Sequence, residues 1–463
     1  RMVCCDDTFI FHEGMVTFKE ERGPRYEKNR AIFDHRWKPL YQKIYPEFLA
    51  DNPLGYLRNK YGLLKRSSYR NVHEVKQAKN FNAMKILDDP TTLDIVDHYI
   101  SNLETFKSDA KLKSVVFLIH ELRGFGGVIS IIQLANDMIF SGINVKIVVM
   151  STKGYKDDMG SLTKPIFYSD LDTLIKHFPK ADVLVGTLWI TMYYLVKIID
   201  KNPNSKLAYF VQDYEPDFYK ETEIRIRDMI KKTYKITPYN FAKTHWICKK
   251  VKQDGGKIAL VSPALELDLF YPRDIDQKSL NQTKSKKLIV TILRPSTPQR
   301  GFDTAIQTLN MLSQKRDDFE VHGFGCTDDE LKNYNIHFPL KNHGILANNK
   351  LPLLYSSAYL FAEFSNFHGF GRTIAEAMAC KIACVITDSG GISLFARHDV
   401  NALITPPKDS EALVRYISKL LDDQELRDRL ANNARDSVLC FDRMESCRRT
   451  IEILSSSTLD DPR

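Results

Sequence analysis

The chain is poor in cysteine, and the few cysteines are badly spaced for staples or metals. Eight stand among 463 residues, none forms a Cys-x-x-Cys pair, and Cys380 and Cys384 sit inside apolar runs. That argues against a disulfide framework and a zinc site, and for a reducing, cytoplasmic compartment. No apolar stretch reaches the ~18–20 residues that a membrane-spanning helix needs. Zinc-finger spacing, RNP-like stretches and long Lys/Arg blocks are missing, which sets nucleic acid aside as a partner. No short internal repeat is visible. The opening Arg1-Met2-Val3-Cys4-Cys5-Asp6-Asp7 lacks a basic-then-apolar signal layout and reads as the start of a piece of a longer polypeptide.

What is present is globular: 43% hydrophobic and 27% charged residues, with Gly and Pro at everyday levels. At roughly 100–200 residues per domain, the length predicts two to four domains. Lys and Arg number 66 against 58 Asp and Glu, a formal net charge of +8. The first 70 residues hold 14 of those cations and 9 of those anions. A mild basic excess suits an anionic membrane surface, a phosphorylated substrate or no partner in particular.

Helical patterns run from Val72 to Leu87 and from Thr92 to Phe106. From Ser114 onward, short apolar runs without polar alternation recur: 115–119, 145–150, 182–186 and 207–211, then 288–293, 320–324, 359–361, 383–386 and 402–404. Such runs, separated by helical stretches, predict parallel sheets covered on both faces. Pro263 to Pro272 and the polar stretch 274–287 mark a boundary between two α/β halves, and 410–454 reads as helical. Ligands of such folds bind at the carboxyl ends of the strands, so the cleft between halves is the expected site.

Three signals carry chemistry. Arg123-Gly124-Phe125-Gly126-Gly127-Val128 follows the first strand and precedes a helix, where backbone N–H groups can approach an anion; a tight turn without a ligand fits equally well. Ser365-Asn366-Phe367-His368-Gly369-Phe370-Gly371-Arg372-Thr373-Ile374-Ala375-Glu376 joins a Gly-rich loop to a helix start. The amides of residues 370–373 can cradle a diphosphate and Glu376 can accept from a ribose, although the helix dipole alone would also favour a carboxylate near that end. Arg294 and Arg300 follow the first strand of the second half, and guanidinium forks match phosphate oxygens. His120-Glu121 ends the first strand, with an acceptor contact or a packing role equally open. Lys249-Lys250-Val251-Lys252 reads as a solvated helix face, with lipid headgroups the alternative. Trp189 and Trp246 read as core or cleft wall.

On these residues the second half resembles the donor-binding domain of family-4 glycosyltransferases of GT-B fold. Arg294 matches the family's Arg and Arg300-Gly301 stands for its Lys-Gly. Ser365, Phe370, Gly371 and Glu376-Ala377-Met378-Ala379 match the long motif, and Asp388-Ser389-Gly390-Gly391 matches its later turn. Ser262-Pro263-Ala264 with Phe270-Tyr271-Pro272 is similar to the interdomain linker, and Gly126-Gly127 to the first loop. Two positions depart. His368 replaces a Glu that in the family contacts the donor sugar, and Gln212 stands where the family has a His in the first half. An acid–base or charge role there falls to Asp213 or Glu215. The Gln212-Asp213-Tyr214-Glu215-Pro216 stretch resembles rhamnosyltransferases that build bacterial surface polysaccharides. Asp7 to Phe18, with His12, looks like the closing segment of a family-2 transferase, which implies a tandem transferase domain in the same polypeptide.

The resemblance implies an α/β chain of GT-B fold, two Rossmann-like doubly wound domains facing across a cleft. The expected units are an N-terminal helical or irregular extension (1–110), an acceptor-side domain (111–272), a donor-binding domain (273–435) and a C-terminal helix returning to the first domain (436–463). It implies a retaining transferase moving a hexose or 6-deoxyhexose, rhamnose ahead of galactose, from a nucleotide-diphosphate sugar to a glycan or lipid-linked glycan of O-antigen or capsule type. Catalytic positions would be Asp213, Gln212 and Glu376. Donor-binding positions would be Gly126, Gly127, Arg294, Arg300, His368, Gly369, Phe370, Gly371, Arg372, Thr373 and Glu376. No cofactor is expected beyond the nucleotide sugar as co-substrate. No metal is expected, because no Asp-x-Asp stretch is seen after a strand in the first half's cleft and two arginines can replace a cation. The alternatives are a non-catalytic module serving a neighbouring transferase and a nucleotide-sugar epimerase of the same fold. Peripheral contact with the cytoplasmic membrane is a further expectation.

Overall fold

Runs such as Val115-Val116-Phe117-Leu118-Ile119 leave no polar side chain to face water, so each strand has to be covered on both sides. The computed structural model describes residues 84, 86, 91–101, 112–122, 126–151, 161–168, 170–273 and 286–456, and it answers that demand with two parallel sheets. The first is built from β1 (Ser114–Glu121), β2 (Asn144–Ser151), β3 (Pro165–Phe167), β4 (Val183–Gly186), β5 (Lys206–Phe210), β6 (Asn240–Ala242) and β7 (Ile258–Leu260). Its order is β3-β2-β1-β4-β5-β6-β7. The second holds β8 (Lys287–Ile292), β9 (Phe319–Phe324), β10 (Leu340–Asn342), β11 (Leu360–Glu363), β12 (Cys384–Thr387) and β13 (Leu403–Thr405), in the order β10-β9-β8-β11-β12-β13.

Strand pleating sends alternate side chains into two separate cores. Val116 and Leu118 of β1 pack on one face of the first sheet, Val115, Phe117 and Ile119 on the other. In the second sheet Phe361 faces one core while Leu360 and Ala362 face the other. The register is tight: Val115 lies opposite Val145 and Val183, and Phe361 opposite Val290 and Cys384.

The helices that matter for the site are α1 (Gly126–Phe140), α2 (Trp189–Ile199), α3 (His245–Gln253), α4 (Phe302–Ser313), α5 (Arg372–Ala379) and α6 (Arg443–Ser455). Strand order reverses between β1 and β4 in one sheet and between β8 and β11 in the other. These are the switch points where diverging loops leave a crevice, and the Gly126, Arg294 and Ser365 segments all leave from them. Helix α6 lies on the first half: Cys447, Ile453 and Leu454 enter a core of the first sheet, and Arg443 binds Asp137 of α1 at 2.6 Å.

All nine expected strands form, with ends shifted by at most two residues. Four more, β3, β6, β7 and β10, go beyond the expectation, and each is only three residues long. One short stretch bears on the metal expectation. Asp170-Leu171-Asp172 is an Asp-x-Asp stretch that follows β3, but Asp170 accepts the Thr173 amide at 2.7 Å and caps the helix Leu171–His177. A correction concerns the first glycine loop: α1 begins at Gly126, so Gly126 and Gly127 form its first turn. Residues 72–83, the Asp7–Phe18 segment with His12, and Arg123-Gly124-Phe125 lie outside the described residues. Among the described residues no helix is long and apolar enough to cross a membrane.

Candidate active site

The second half contributes a stack of charges at the ends of β8 and β11. Arg294 follows β8 and is half-buried; burial, with the charge of Arg300 added, pushes its guanidinium down to about 10. Arg300 reaches Glu363 at 3.7 Å. Glu363 ends β11 with no exposed surface, accepts from the Ser365 hydroxyl, and receives the Ser365 amide at 3.1 Å. Burial works to raise its pKa, but His368, Arg300 and Ser365 together outweigh that and hold it below the usual carboxylate value. His368 itself is buried, with Nε2 2.8 Å from the Ser389 hydroxyl and 3.8 Å from Glu363. Sequence reasoning alone misses Glu363. It places a carboxylate directly behind the imidazole that stands where the family has Glu.

The loop after His368 works by lacking side chains. A Cβ on Gly369 would lie 2.5 Å from the Gln212 carbonyl oxygen and 3.1 Å from Asp213 Cα, so the two halves touch backbone to backbone here. Thr244 of the first half locks the contact by donating its hydroxyl to the Gly369 carbonyl at 2.8 Å. Gly371 adopts φ +83°, a left-handed conformation that glycine reaches without strain, and it ends the loop where α5 starts. Phe370 turns away from the cleft to pack edge-on against Phe395 and Phe441. The first amides of α5, at Arg372 and Thr373, have no partner within the helix, and the Thr373 hydroxyl is buried without one.

Arg372 spans the cleft. Its Nε donates to Glu376 Oε1 at 2.6 Å, one turn along α5, and its Nη1 reaches Gln133 at 2.9 Å and Ser130 at 3.4 Å on α1. A Cβ on Gly126 would sit 3.7 Å from Arg372 Cδ, so the starts of α1 and α5 face each other with this side chain between them. Burial raises the Glu376 carboxyl, offset by Arg372 and reinforced by Glu266.

From the first half come Gln212, Asp213 and Lys243. Gln212 packs over Gly127. Asp213 is half-buried; burial raises its pKa, and the Tyr214 and Gly369 amides with His368 and Arg300 pull it back. Thus Arg300, Glu363, His368 and Asp213 form one electrostatic group although they come from two sheets. Glu215 does not join it. Its oxygens accept the Tyr209 hydroxyl at 2.7 Å and the Trp189 amide at 2.6 Å, which fixes the start of α2 inside the core. Of the two carboxylates considered for acid–base work, only Asp213 faces the other half. His120 and Glu121 end β1, and Trp189 is core while Trp246 lies against Gly390.

Glu215 gives a pH signature for folding. Burial, only partly offset by Tyr209 and the Trp189 amide, pushes its carboxyl from the usual 4.5 up to about 8. Below pH ~4.5 the group is protonated folded and unfolded alike, and its contribution is fully present. Between there and pH 8 only the unfolded chain releases the proton, so stability falls by a few kcal/mol at about 1.4 kcal/mol per pKa unit. Melting temperatures of wild type and Glu215→Gln from pH 5 to 9 check this. The wild-type advantage shrinks as pH rises; a constant difference contradicts it.

Residues 272–437, which include Arg294, Arg300, Glu363 and the 365–376 stretch, match the family model described as glycosyl transferases group 1. Among solved structures, Alr3699/HepE from Anabaena, in complex with UDP and glucose, superimposes with a TM-score of 0.63 at 18% identity, over 74% of this chain and 100% of that one. The fold is GT-B. An uncharacterized glycosyltransferase of Methanocaldococcus jannaschii is 25% identical over 179 residues, 37% of this chain and 46% of that protein. The O-antigen biosynthesis protein RfbC of Myxococcus xanthus is 25% identical over 263 residues, 56% of this chain and 20% of that protein. The chain thus spans less than half the length of both curated relatives. Within the GT-B frame, the first sheet and α6 form one half and the second sheet the other. Among the described residues no group of three or more His, Cys, Asp or Glu could hold a metal ion.

Proposed function

We propose that the cleft transfers a sugar from a nucleotide-diphosphate donor to a glycan or lipid-linked glycan of a bacterial surface polysaccharide, with retention at the anomeric carbon. The reading is carried by one observation: Arg294, Arg300 and the open amide end of α5 converge at the switch point of the second sheet, opposite the start of α1. Departure of the nucleoside diphosphate builds negative charge at its phosphates, and fixed cations with oriented amides stabilise that charge without rearranging. Glu376 is placed to accept from the ribose once Arg372 shares it. The acceptor hydroxyl attacks from the leaving-group face, and its proton passes to the departing phosphate oxygen. Asp213, beside Gly369 and His368, orients hydroxyls. With Glu363 engaged by Arg300 and Ser365, the sugar meets the His368 imidazole rather than a carboxylate, which makes fewer demands on the hydroxyl face and suits a 6-deoxyhexose such as rhamnose.

Release of nucleoside diphosphate from a panel of nucleotide sugars, run in EDTA with and without acceptor, tests the proposal. Turnover of at least one donor persists in EDTA. Loss of all turnover, restored by manganese or magnesium, contradicts the arginine-based mechanism, and interconversion of sugars without release identifies an epimerase.

A further inference from the structure

Lys243 follows β6 and is buried, with 8% of its surface exposed. Among the described residues its ammonium makes one hydrogen bond, to Gln212 Oε1 at 3.3 Å, and no carboxylate comes within ion-pair distance. Its charged neighbour is another cation, Arg372. The carboxylates around Arg372 are already committed, Glu376 to Arg372 itself and Glu266 between Arg372 and Arg443 at 3.7 and 3.8 Å. The other end of the Gln212 amide, Nε2, is buried without a partner. Gln212 in turn lies on Gly127, in the first turn of α1. A buried ammonium and an unpartnered amide N–H thus sit at the two ends of one Gln212 amide, whose stem lies over the first turn of α1.

We propose that Lys243 and Gln212 form a phosphate subsite on the acceptor-side half of the cleft, completed by the first amides of α1. A phosphate group supplies the counter-charge that the protein omits. It sits against Lys243 Nζ and Gln212 Nε2, and it draws the two halves together because Arg372 approaches the same spot from α5. The phosphate comes either from the donor's diphosphate or from a phosphate-bearing acceptor. Burial and Arg372 both push the Lys243 ammonium well below its ordinary value, which marks the strain of holding this charge without its anion.

The inference rests on the proposed use of a nucleotide sugar. Lys243→Met keeps the length of the side chain and removes the charge. In the first arm, UDP and dTDP are titrated calorimetrically into wild type and variant. In the second, inorganic phosphate is titrated into each protein saturated with the nucleoside diphosphate that binds it. A loss of about tenfold or more in the first arm assigns the subsite to the donor, and the same loss confined to the second assigns it to the acceptor. Equal affinities in both arms overturn the subsite while leaving the nucleotide site intact; wild type that binds no nucleoside diphosphate removes the functional reading as well. The melting temperature of the ligand-free proteins separates binding from structure. Removing an uncompensated buried charge raises it by about 2–4 °C, whereas a structural lysine would lower it.

Discussion

Arg294→Ala and Arg300→Ala each lower kcat/KM for the nucleotide sugar by about 10²–10³-fold, the loss seen when one preorganised charge donor is taken from a leaving-group site. The two variants differ in what they do to the fold. Arg294 stands in a site where burial and Arg300 both push its guanidinium down, and its loss is read in the kinetics. Arg300 is the cation 3.7 Å from fully buried Glu363. Arg300→Ala leaves that carboxylate to Ser365 and His368 without its guanidinium, and lowers the melting temperature too. Arg300→Lys keeps the ion pair but not the fork, so it recovers stability while remaining catalytically poor. Steady-state kinetics beside thermal unfolding separates these effects. Near-normal kcat/KM in both Ala variants would sink the diphosphate assignment.

Gly369→Ala is expected to cut kcat by about 10²-fold. Its Cβ would stand 2.5 Å from the Gln212 carbonyl oxygen and 2.9 Å from Ile247 Cδ1. The isoleucine end can move; a backbone carbonyl cannot without parting the halves. Parting them breaks the Thr244–Gly369 hydrogen bond and moves Asp213 away from His368, and a misplacement of about 1 Å at a reacting centre costs about that much. Each half keeps its own two cores, so the melting temperature falls little. Small-angle scattering should report a larger radius of gyration for the ligand-free variant. A variant as active and as compact as wild type would show that the closed contact has no part in turnover.

Much of the fold is legible in the amino-acid sequence. Parallel strands buried on both faces announce themselves as unbroken apolar runs, which is why β1, β8 and β12 are readable. Pro165-Ile166-Phe167 and Leu340-Lys341-Asn342 are edge strands, Asn240-Phe241-Ala242 lies one in from an edge, and three residues are too few for a periodic signal. The 365–379 stretch shows its loop and its helix start because glycine spacing and helix onset are local properties. Glu363, Lys243 and Glu215 are different. Glu363 ends a buried strand, Lys243 follows one directly and Glu215 opens the short helix five residues after β5, and what each does depends on which segments meet in space. Glu363 lies beneath His368, Lys243 meets Gln212 and Arg372, and Glu215 turns back into the core under Trp189. Sequence spacing carries no record of those meetings.

The central claim is that this cleft grips a nucleotide by its diphosphate. Calorimetric titration of wild type with a nucleoside, its monophosphate and its diphosphate, using uridine and thymidine series, tests it most directly. The arrangement of Arg294, Arg300 and the α5 amides predicts a diphosphate bound at least about tenfold tighter than the monophosphate of the same base, a step of about 1.4 kcal/mol. Equal affinity for the two, in both series, would contradict it.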